Sequence, residues 1–234
     1  MKKQILSLTL LLVFFTGIKI VNARTLTDQT RPVSGFTAIA SSGAFHVYVK
    51  IDGKESLKIS ADDDIIDKIE TVVENGTLKI RYKKDWGWHN NGDHKADIYV
   101  SAKSLSSLVN SGSGSIKVEG FITTSDFKAV LSGSGSIATS VKASEASIVI
   151  SGSGDIYLSG KVDVASVSIS GSGSVKAREL KTDETKISIS GSGDVAINAE
   201  KELSSSIMGS GSVTYTGNPS IHTSKMGSGS VTRE

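Results

Sequence analysis

The sequence predicts an all-β protein: a single-stranded parallel β-helix, or solenoid, with coils of about 20 residues, preceded by an irregular β region. A Gly-Ser-Gly motif recurs seven times between residues 112 and 229. Apolar and polar residues alternate around each copy, and the copies contain 14 of the 24 glycines. A fixed period near twenty residues is typical of a solenoid in which each repeat is one supersecondary unit.

The chain begins with the features of a cleaved secretory signal. Residues 1–3 are basic at two of three positions, residues 5–17 are mostly apolar, and residues 21–23 offer the small side chains of a cleavage site. The apolar run is shorter than the roughly 20 residues of a membrane-spanning helix. We therefore predict that residues 1–23 are a signal peptide, with an uncleaved anchor as the alternative. The mature protein is expected in the periplasm, on the cell surface or outside the cell.

Composition gives no support for binding to nucleic acid or acidic membranes, and it excludes cysteine chemistry. Three of the 26 basic residues are lysines of the predicted signal peptide, so the mature chain has 23 bases against 24 acids. A net charge near zero gives no reason to expect binding to nucleic acid or to acidic membranes. The chain has no cysteine, which excludes disulfides, thiol chemistry and a lipid anchor on cysteine. We expect no cofactor and no metal.

Residues 24–107 form the predicted N-terminal β region. Residues 45–51 alternate apolar and polar side chains, which predicts a strand, and residues 56–60 predict a second. A hairpin is predicted at residues 72–80, because the Asn-Gly pair at its centre suits a type I′ turn. The acidic run that begins at Asp62 lacks the spacing of a calcium loop, so we predict a helical turn capped by Asp62.

Residues 83–97, with the sequence KKDWGWHNNGDHKAD, are predicted to form an exposed loop between two strands. One interpretation is functional: tryptophan faces stack on sugar rings, or imidazole and carboxylate groups bind a divalent metal. The other, which we favour, is a long hairpin loop whose tryptophans pack back on the sheet. If the chain binds a ligand, we expect binding here. The candidate ligand-binding residues are Trp86, Trp88, His89, Asp93 and His94.

Residues 108–234 form the predicted β-helix, continuous with the N-terminal region. In each copy the apolar residues and both glycines occupy every second position, and Ser or Asp occupies positions between them. We call this alternation the parity of the strand. Two strands of period 2 therefore meet at a Gly-x-Gly bend, where glycine allows positive φ and close approach of stacked backbones. Parallel crossovers favour right-handed winding. The bend glycines are Gly112, Gly114, Gly133, Gly135, Gly152, Gly154, Gly171, Gly173, Gly191, Gly193, Gly209, Gly211, Gly227 and Gly229.

Two further sets of residues follow from the repeat. A second set of apolar residues, one in each coil, is expected to point inward on the side of the coil opposite the bend: Phe121, Val141, Val162, Leu180 and Leu203. The outward side of the bends carries polar columns, one of them Ser113, Ser134, Ser153, Ser172, Ser192, Ser210 and Ser228, the other Ser115, Ser136, Asp155, Ser174, Asp194, Ser212 and Ser230. A hydroxyl ladder suits a repeating ligand, but serine is also the small polar residue that tight bends tolerate, and we favour that explanation.

The repeat units, the segment FTAIASSGAFHVYV and the V-x-NGTL-x-I hairpin together resemble the family described as "putative auto-transporter adhesin, head GIN domain". The resemblance covers about residues 36–231. It implies an exported envelope protein and carries no catalytic or binding residue to transfer. The sequence shows no C-terminal membrane barrel, so autotransport by this chain alone is not expected.

We predict a non-enzymatic secreted or cell-surface module that binds a cell-surface glycan or an envelope protein. The alternatives are a polysaccharide-cleaving β-helix enzyme and a purely structural envelope scaffold. The inter-strand turns are short and their carboxylates are not in register across coils, which argues against a catalytic cleft. The coil that begins at Met226 leaves an open edge, and this predicts self-association there. The identity of a ligand does not follow from the sequence.

Overall fold

The computed structural model describes residues 26–84 and 94–234, so the predicted signal peptide lies outside the described residues. One 3₁₀ helix, Ile66–Lys68, lies between β4 and β5. The strands are β1 Leu26–Arg31, β2 Ala38–Ser42, β3 His46–Ile51, β4 Ser56–Asp62, β5 Ile69–Glu74, β6 Thr77–Tyr82, β7 Ala96–Ala102, β8 Ser107–Gly112, β9 Ser115–Gly133, β10 Ser136–Gly152, β11 Asp155–Gly171, β12 Ser174–Gly191, β13 Asp194–Gly209, β14 Ser212–Thr216, β15 Ser220–Met226 and β16 Ser230–Arg233. These 16 strands belong to one sheet.

The repeat region is a parallel β-solenoid, as predicted. Each of β9 to β13 starts just after one Gly-Ser-Gly motif and ends at the first glycine of the next, so that one strand follows nearly a whole coil. Neighbouring coils pair in parallel with equivalent residues side by side, such as Ile150 with Ile169. There are about 7 turns, with coils of about 19 residues. The right-handed winding stays a prediction.

The interior of the solenoid is filled by columns of apolar side chains. Five residues of one such column, from successive coils, are each at most 1% exposed: Leu131, Ile150, Ile169, Ile189 and Ile207. Burying a side chain of this size contributes about 1.5–3 kcal/mol. Because each coil repeats this contact with the next, hydrophobic stabilisation is distributed evenly along the axis.

The far side of each coil agrees with the sequence prediction at four of five positions. Val141, Val162, Leu180 and Leu203 are buried, whereas Phe121 is 48% exposed and that prediction is wrong. Ile122 has the inward parity in this coil and is fully buried. The ring of Phe121 lies outside, with Lys142 Nζ 4.7 Å from its centroid.

Each bend requires two glycines, because an added Cβ at either one would meet the preceding coil. At the first glycine of a motif φ is positive, and at Gly152 an added Cβ would lie 2.5 Å from the carbonyl oxygen of Gly133 in the preceding coil. That oxygen accepts hydrogen bonds from the N–H groups of Ser153 and Gly154, at 3.0 and 3.1 Å. The second glycine is buried in every motif but the last, and at Gly173 a Cβ would lie 2.5 Å from the carbonyl oxygen of Gly154 and 2.6 Å from Ile150 Cγ2. The second glycine therefore faces inward as predicted and also meets the preceding coil, whereas the first, as at Gly152, is half-buried and meets the backbone of the preceding coil alone.

The N-terminal region contains an additional, degenerate bend. β2 and β3 pair in parallel with β8 and β9. Gly43 lies opposite Gly112, has φ +137°, and its oxygen accepts the N–H of Gly114 at 3.1 Å. Phe45 takes the place of the second glycine, and its ring packs 4.6 Å from that of Tyr82. The region is irregular in sequence, yet it continues the same solenoid.

Antiparallel strands border this end of the solenoid. β6 and β7 pair in parallel with β2 and β3. β5 then pairs antiparallel with β6, β4 with β7, and β1 with β4. The predicted Asn-Gly hairpin is present, with φ +50° at Asn75 and +72° at Gly76.

The predicted cap at Asp62 is wrong. The 3₁₀ helix has Ile65 at its N-cap and no side-chain capping bond. Asp62 is instead the last residue of β4, and its carboxylate accepts the Lys95 N–H at 3.2 Å. The backbone does turn here, because the N–H of Ile65 donates to the backbone carbonyl oxygen of Asp62 at 3.0 Å.

The last coil, formed by β15 and β16, differs from the others at its inward positions. Lys225 lies opposite buried Ile207, and Arg233 lies opposite buried Tyr215. Charged residues at the inward positions of an edge discourage a further strand from pairing. Glu234 is also bound, because Arg178 donates to its carboxylate at 2.7 and 3.1 Å. Self-association at this edge stays a prediction, and these charges argue against it.

The bend geometry predicts the effect of a single methyl group. Gly152→Ala is expected to lower the free energy of unfolding by about 2 kcal/mol or more, from positive φ and the clash with Gly133. Ser153→Ala, one residue later and exposed, is the control and should change it by less than about 0.5 kcal/mol. Urea denaturation of both variants measures this. Equal stability of the two variants would contradict the role given to the first glycine.

Candidate functional site

An outward column of aromatic and basic side chains crosses the solenoid on the coil face that follows the bends. We call it the aromatic column. Its members lie opposite one another in register on seven neighbouring strands, in the spatial order Lys58, Tyr99, Tyr48, Lys117, Ala138, Tyr157 and Lys176. The alternation of side chains in a strand exposes these positions, because the residues on either side of each one point into the core.

The tyrosines of the column form two exposed platforms. Tyr48 and Tyr99 are stacked, with ring centroids 5.3 Å apart and an interplanar angle of 18°, and both are more than 40% exposed. Tyr157 is 42% exposed and lies three strands from Tyr48. At the usual strand spacing, the platforms are about 14 Å apart. The small side chain of Ala138 leaves a shallow groove between them.

The groove beside Tyr157 is lined by polar groups and by side-chain stems. It has a volume of about 400 Å³, and its lining includes Lys117, Ala138, Ser140, Ser159, Arg178 and Glu179. Ser140 Oγ and Ser159 Oγ are 2.7 Å apart and share a hydrogen bond. Flat aromatic faces beside hydroxyl, ammonium and carboxylate groups suit a ligand that has both C–H faces and hydroxyls.

Two of the three lysines of the column form ion pairs within the protein. Lys176 Nζ lies 4.7 Å from the Tyr157 ring centroid and donates to the Tyr157 hydroxyl at 3.1 Å and to Asp155 at 3.0 Å. These hydrogen bonds, the one to Tyr157 first, raise the pKa of Lys176 above its usual value. Lys58 donates to Asp28 at 2.7 Å, which raises its pKa in the same way. Among the described residues, Lys117 is the lysine of the column that forms no ion pair, so pairing removes most of the positive charge that would attract an ionic ligand.

The two polar columns predicted from the sequence also form. The column from Ser115 to Ser230 lies in register along the parallel strands, two residues before the aromatic column, and His46 continues it. His46 Nδ1 lies 2.9 Å from Ser115 Oγ. The serines of the other column occupy the bends themselves and are exposed. A ligand on the aromatic column would therefore have hydroxyl groups along one side.

Four of the five predicted ligand-binding residues, Trp86, Trp88, His89 and Asp93, lie outside the described residues. The structure describes His94, just before β7, the strand that carries Tyr99.

His94 lies beside two carboxylates of residues 62–64, which we call the acidic turn. Its Nδ1 is 3.6 Å from Asp62 Oδ2 and 3.6 Å from Asp64 Oδ1. The side chains of His94 and Asp62 are 9% and 4% exposed, whereas that of Asp64 is 61% exposed. One potential metal-ligand atom from each residue lies within 4.8 Å of the other two. Burial, and next the charge of Asp62, raise the pKa of the nearby Tyr82 hydroxyl.

The sequence analysis missed both features. The tyrosines could have been found from parity, because Tyr48 and Tyr157 each lie between two inward apolar residues. The acidic turn and His94 are about thirty residues apart in sequence. They meet because β4 pairs antiparallel with β7, which places Ala61 opposite Ala96. Without that pairing, no local signal links them.

The fold and the repeat place the chain in a known class of proteins. The sequence model of the family described as "Putative auto-transporter adhesin, head GIN domain" matches residues 35–219. The chain belongs to this family, as the sequence features indicated. No curated protein matches it. No helix among the described residues is long and apolar enough to cross a membrane.

Solved structures share the fold over nearly their whole length. A putative adhesin from Bacteroides fragilis NCTC 9343 has a TM-score of 0.80 and 25% identity, over 91% of this chain and 98% of that one. A putative lipid binding protein from Parabacteroides distasonis ATCC 8503 has a TM-score of 0.73 and 27% identity, with the same coverage. A putative adhesin from Parabacteroides merdae ATCC 43184, at 19% identity and a TM-score of 0.72, covers 91% of this chain and 97% of its own.

Exposure of the aromatic column predicts that it contributes little to stability. Tyr157→Ala is expected to lower the free energy of unfolding by about 1 kcal/mol or less, because an exposed cation–π contact is worth about 0.5–1 kcal/mol. Phe45→Ala, which removes a fully buried ring, should cost about 3–5 kcal/mol. Chemical denaturation of the two variants gives the comparison. A loss at Tyr157 as large as that at Phe45 would show that the tyrosine is structural.

Proposed function

We propose that the chain is a non-enzymatic binding module of the adhesin type, which holds a neutral carbohydrate chain along the aromatic column. The observation that carries the proposal is the column itself: three tyrosines, each more than 40% exposed, at equivalent outward positions of one continuous sheet. Large exposed aromatic side chains with polar rims mark interaction sites on proteins. Tyrosine is also enriched at interfaces, because it presents an apolar face and a polar tip.

The spacing and charge of the column support a long, uncharged ligand. A ligand must be extended to reach both platforms, which are about 14 Å apart at the usual strand spacing. Lys58, Lys176 and Arg178 already form ion pairs with acidic residues. A polyanion would have to displace these carboxylates, whereas a neutral sugar chain can stack on the rings and bond to the serines. The chemistry therefore favours a neutral glycan.

A relative described as lipid binding raises a second possibility, which the interior of this chain does not favour. The Parabacteroides distasonis structure carries that description. A lipid tail needs an enclosed apolar cavity. In the described part of this chain, apolar side chains that are at most 8% exposed fill the inward rows of the coils before the last one. The outer surface is thus the better place for a ligand.

The proposal also includes an exported or cell-surface location and no catalytic activity. Membership of the adhesin family and the signal-like N-terminus support an exported or cell-surface location. The Asp155 carboxylate beside the aromatic column accepts a hydrogen bond from Lys176, which suits a binding surface better than acid–base catalysis. Release of reducing ends from a polysaccharide would favour the enzyme alternative, and no binding at all would favour the scaffold.

A glycan array followed by titration calorimetry tests the proposal. Tyr48→Ala and Tyr157→Ala are each expected to weaken binding of a neutral oligosaccharide by about tenfold, since the loss of an aromatic contact of about 0.5–1.5 kcal/mol adds to the loss of buried area. Met208→Ala is the matched control, because Met208 is 56% exposed on the opposite side of the bend. It should leave affinity unchanged.

Two further arms locate the site. Trp86→Ala with Trp88→Ala tests the loop prediction, and a loss confined to that pair would place binding on the loop instead of the aromatic column. Equal binding by wild type and both tyrosine variants would overturn the proposal. An acidic oligosaccharide of the same length should bind more weakly than the neutral one.

A further inference from the structure

We propose that Asp62, Asp64 and His94 form a binding site for a divalent transition-metal ion of the zinc type. The site lies at the end of the solenoid formed by β4 and β7. It joins Asp62, the last residue of β4, and Asp64 in the turn that follows to His94, which lies two residues before the start of β7. The inference is independent of the proposed carbohydrate binding, because none of these residues belongs to the aromatic column.

The distances between the three side chains are close to those of ligands that share one ion. His94 Nδ1 is 3.6 Å from an oxygen of each carboxylate, which is beyond the range of a side-chain hydrogen bond. Two ligands that bind one tetrahedral zinc ion with bonds of about 2.0 Å lie roughly 3.3 Å apart. A shift of a few tenths of an ångström would bring each distance from His94 to a carboxylate to that value. All three ligand atoms lie within 4.8 Å of one another, and rotation of the exposed Asp64 side chain would bring its oxygen to the roughly 3.3 Å that a tetrahedral ion requires.

The chemistry of the three ligands selects the kind of metal. One imidazole nitrogen and two carboxylate oxygens suit zinc and related transition metals. Calcium takes six to eight oxygen ligands, and magnesium prefers water and carboxylates, so an imidazole disfavours both. Three protein ligands leave a fourth position of a tetrahedral ion for water or another group. Because the Asp64 side chain is 61% exposed, this fourth coordination position would lie near solvent.

Burial and the surrounding bonds hold two of the ligands in place. The side chains of Asp62 and His94 are 4% and 9% exposed, so the surrounding atoms restrict the positions of both ligands. The Lys95 N–H donates to Asp62 Oδ2 at 3.2 Å and fixes the carboxylate, as outer-shell bonds do in metal sites. Asp63 is directed elsewhere, because Thr27 Oγ1 donates to its carboxylate at 3.0 Å.

Titration calorimetry with ZnCl₂ on the full mature chain, after dialysis against a chelator, tests the site. We expect one ion per chain and a higher midpoint of thermal unfolding in zinc, because an ion bound only by the folded state stabilises it. Asp64→Asn should weaken zinc binding at least tenfold. This variant is expected to fold, since Asp64 is exposed. His94→Gln should weaken binding by at least the same factor.

Asp63→Asn is the matched control, because it removes the same charge from the next residue along the acidic turn. It should bind zinc like the wild type, and His222→Gln, at an exposed histidine, should do so as well. Replacement of zinc by Co²⁺ adds a spectroscopic readout, in which the intensity of the visible absorption bands reports the coordination number. No stoichiometric binding, or equal binding by Asp64→Asn and Asp63→Asn, would overturn the proposal and leave His94 in a simple ion pair.

Discussion

The structure depends on the close approach of backbones at the stacked bends. In each coil the carbonyl oxygen of the first bend glycine lies where the next coil would place a Cβ, and only hydrogen fits there. The same oxygen receives N–H groups of the next bend at hydrogen-bond distance. A backbone contact this close sets the register of the whole coil, because the side-chain period of a strand is two and a slip by one residue would turn its apolar row outward.

The fixed register at the bends also creates the outer surface. Once successive glycines are aligned, every outward residue is aligned with its counterpart one coil away, and single side chains become columns. The serine column and the aromatic column both arise in this way. The tyrosines can vary without disturbing the core, because their neighbours in the strand, such as Val47 and Val49, provide the packing. The fold thus separates residues that hold the coil from residues that are free to bind.

The repeat could be predicted from the sequence because its signals are local: glycine spacing, parity and the Asn-Gly turn. Phe121 was assigned inward, although its parity differs from that of the buried Ile122 next to it. The cap at Asp62 was wrong because the strand before it extends two residues further than predicted. The degenerate bend at Gly43 and the cluster of Asp62, Asp64 and His94 depend on strand pairing between distant segments. Such pairing leaves no local trace in a single sequence.

Native-state amide hydrogen exchange measures the central claim most directly. The N–H groups of Gly135, Gly154 and Gly173 each donate to the first glycine of the preceding bend, at 3.0–3.1 Å. If stacked bends hold the solenoid together, these amides will exchange only through the largest unfolding event of the chain. The equivalent amide of Gly229, in the last coil, will exchange faster. Exchange of the interior bend amides as fast as that of Gly229 would contradict the account.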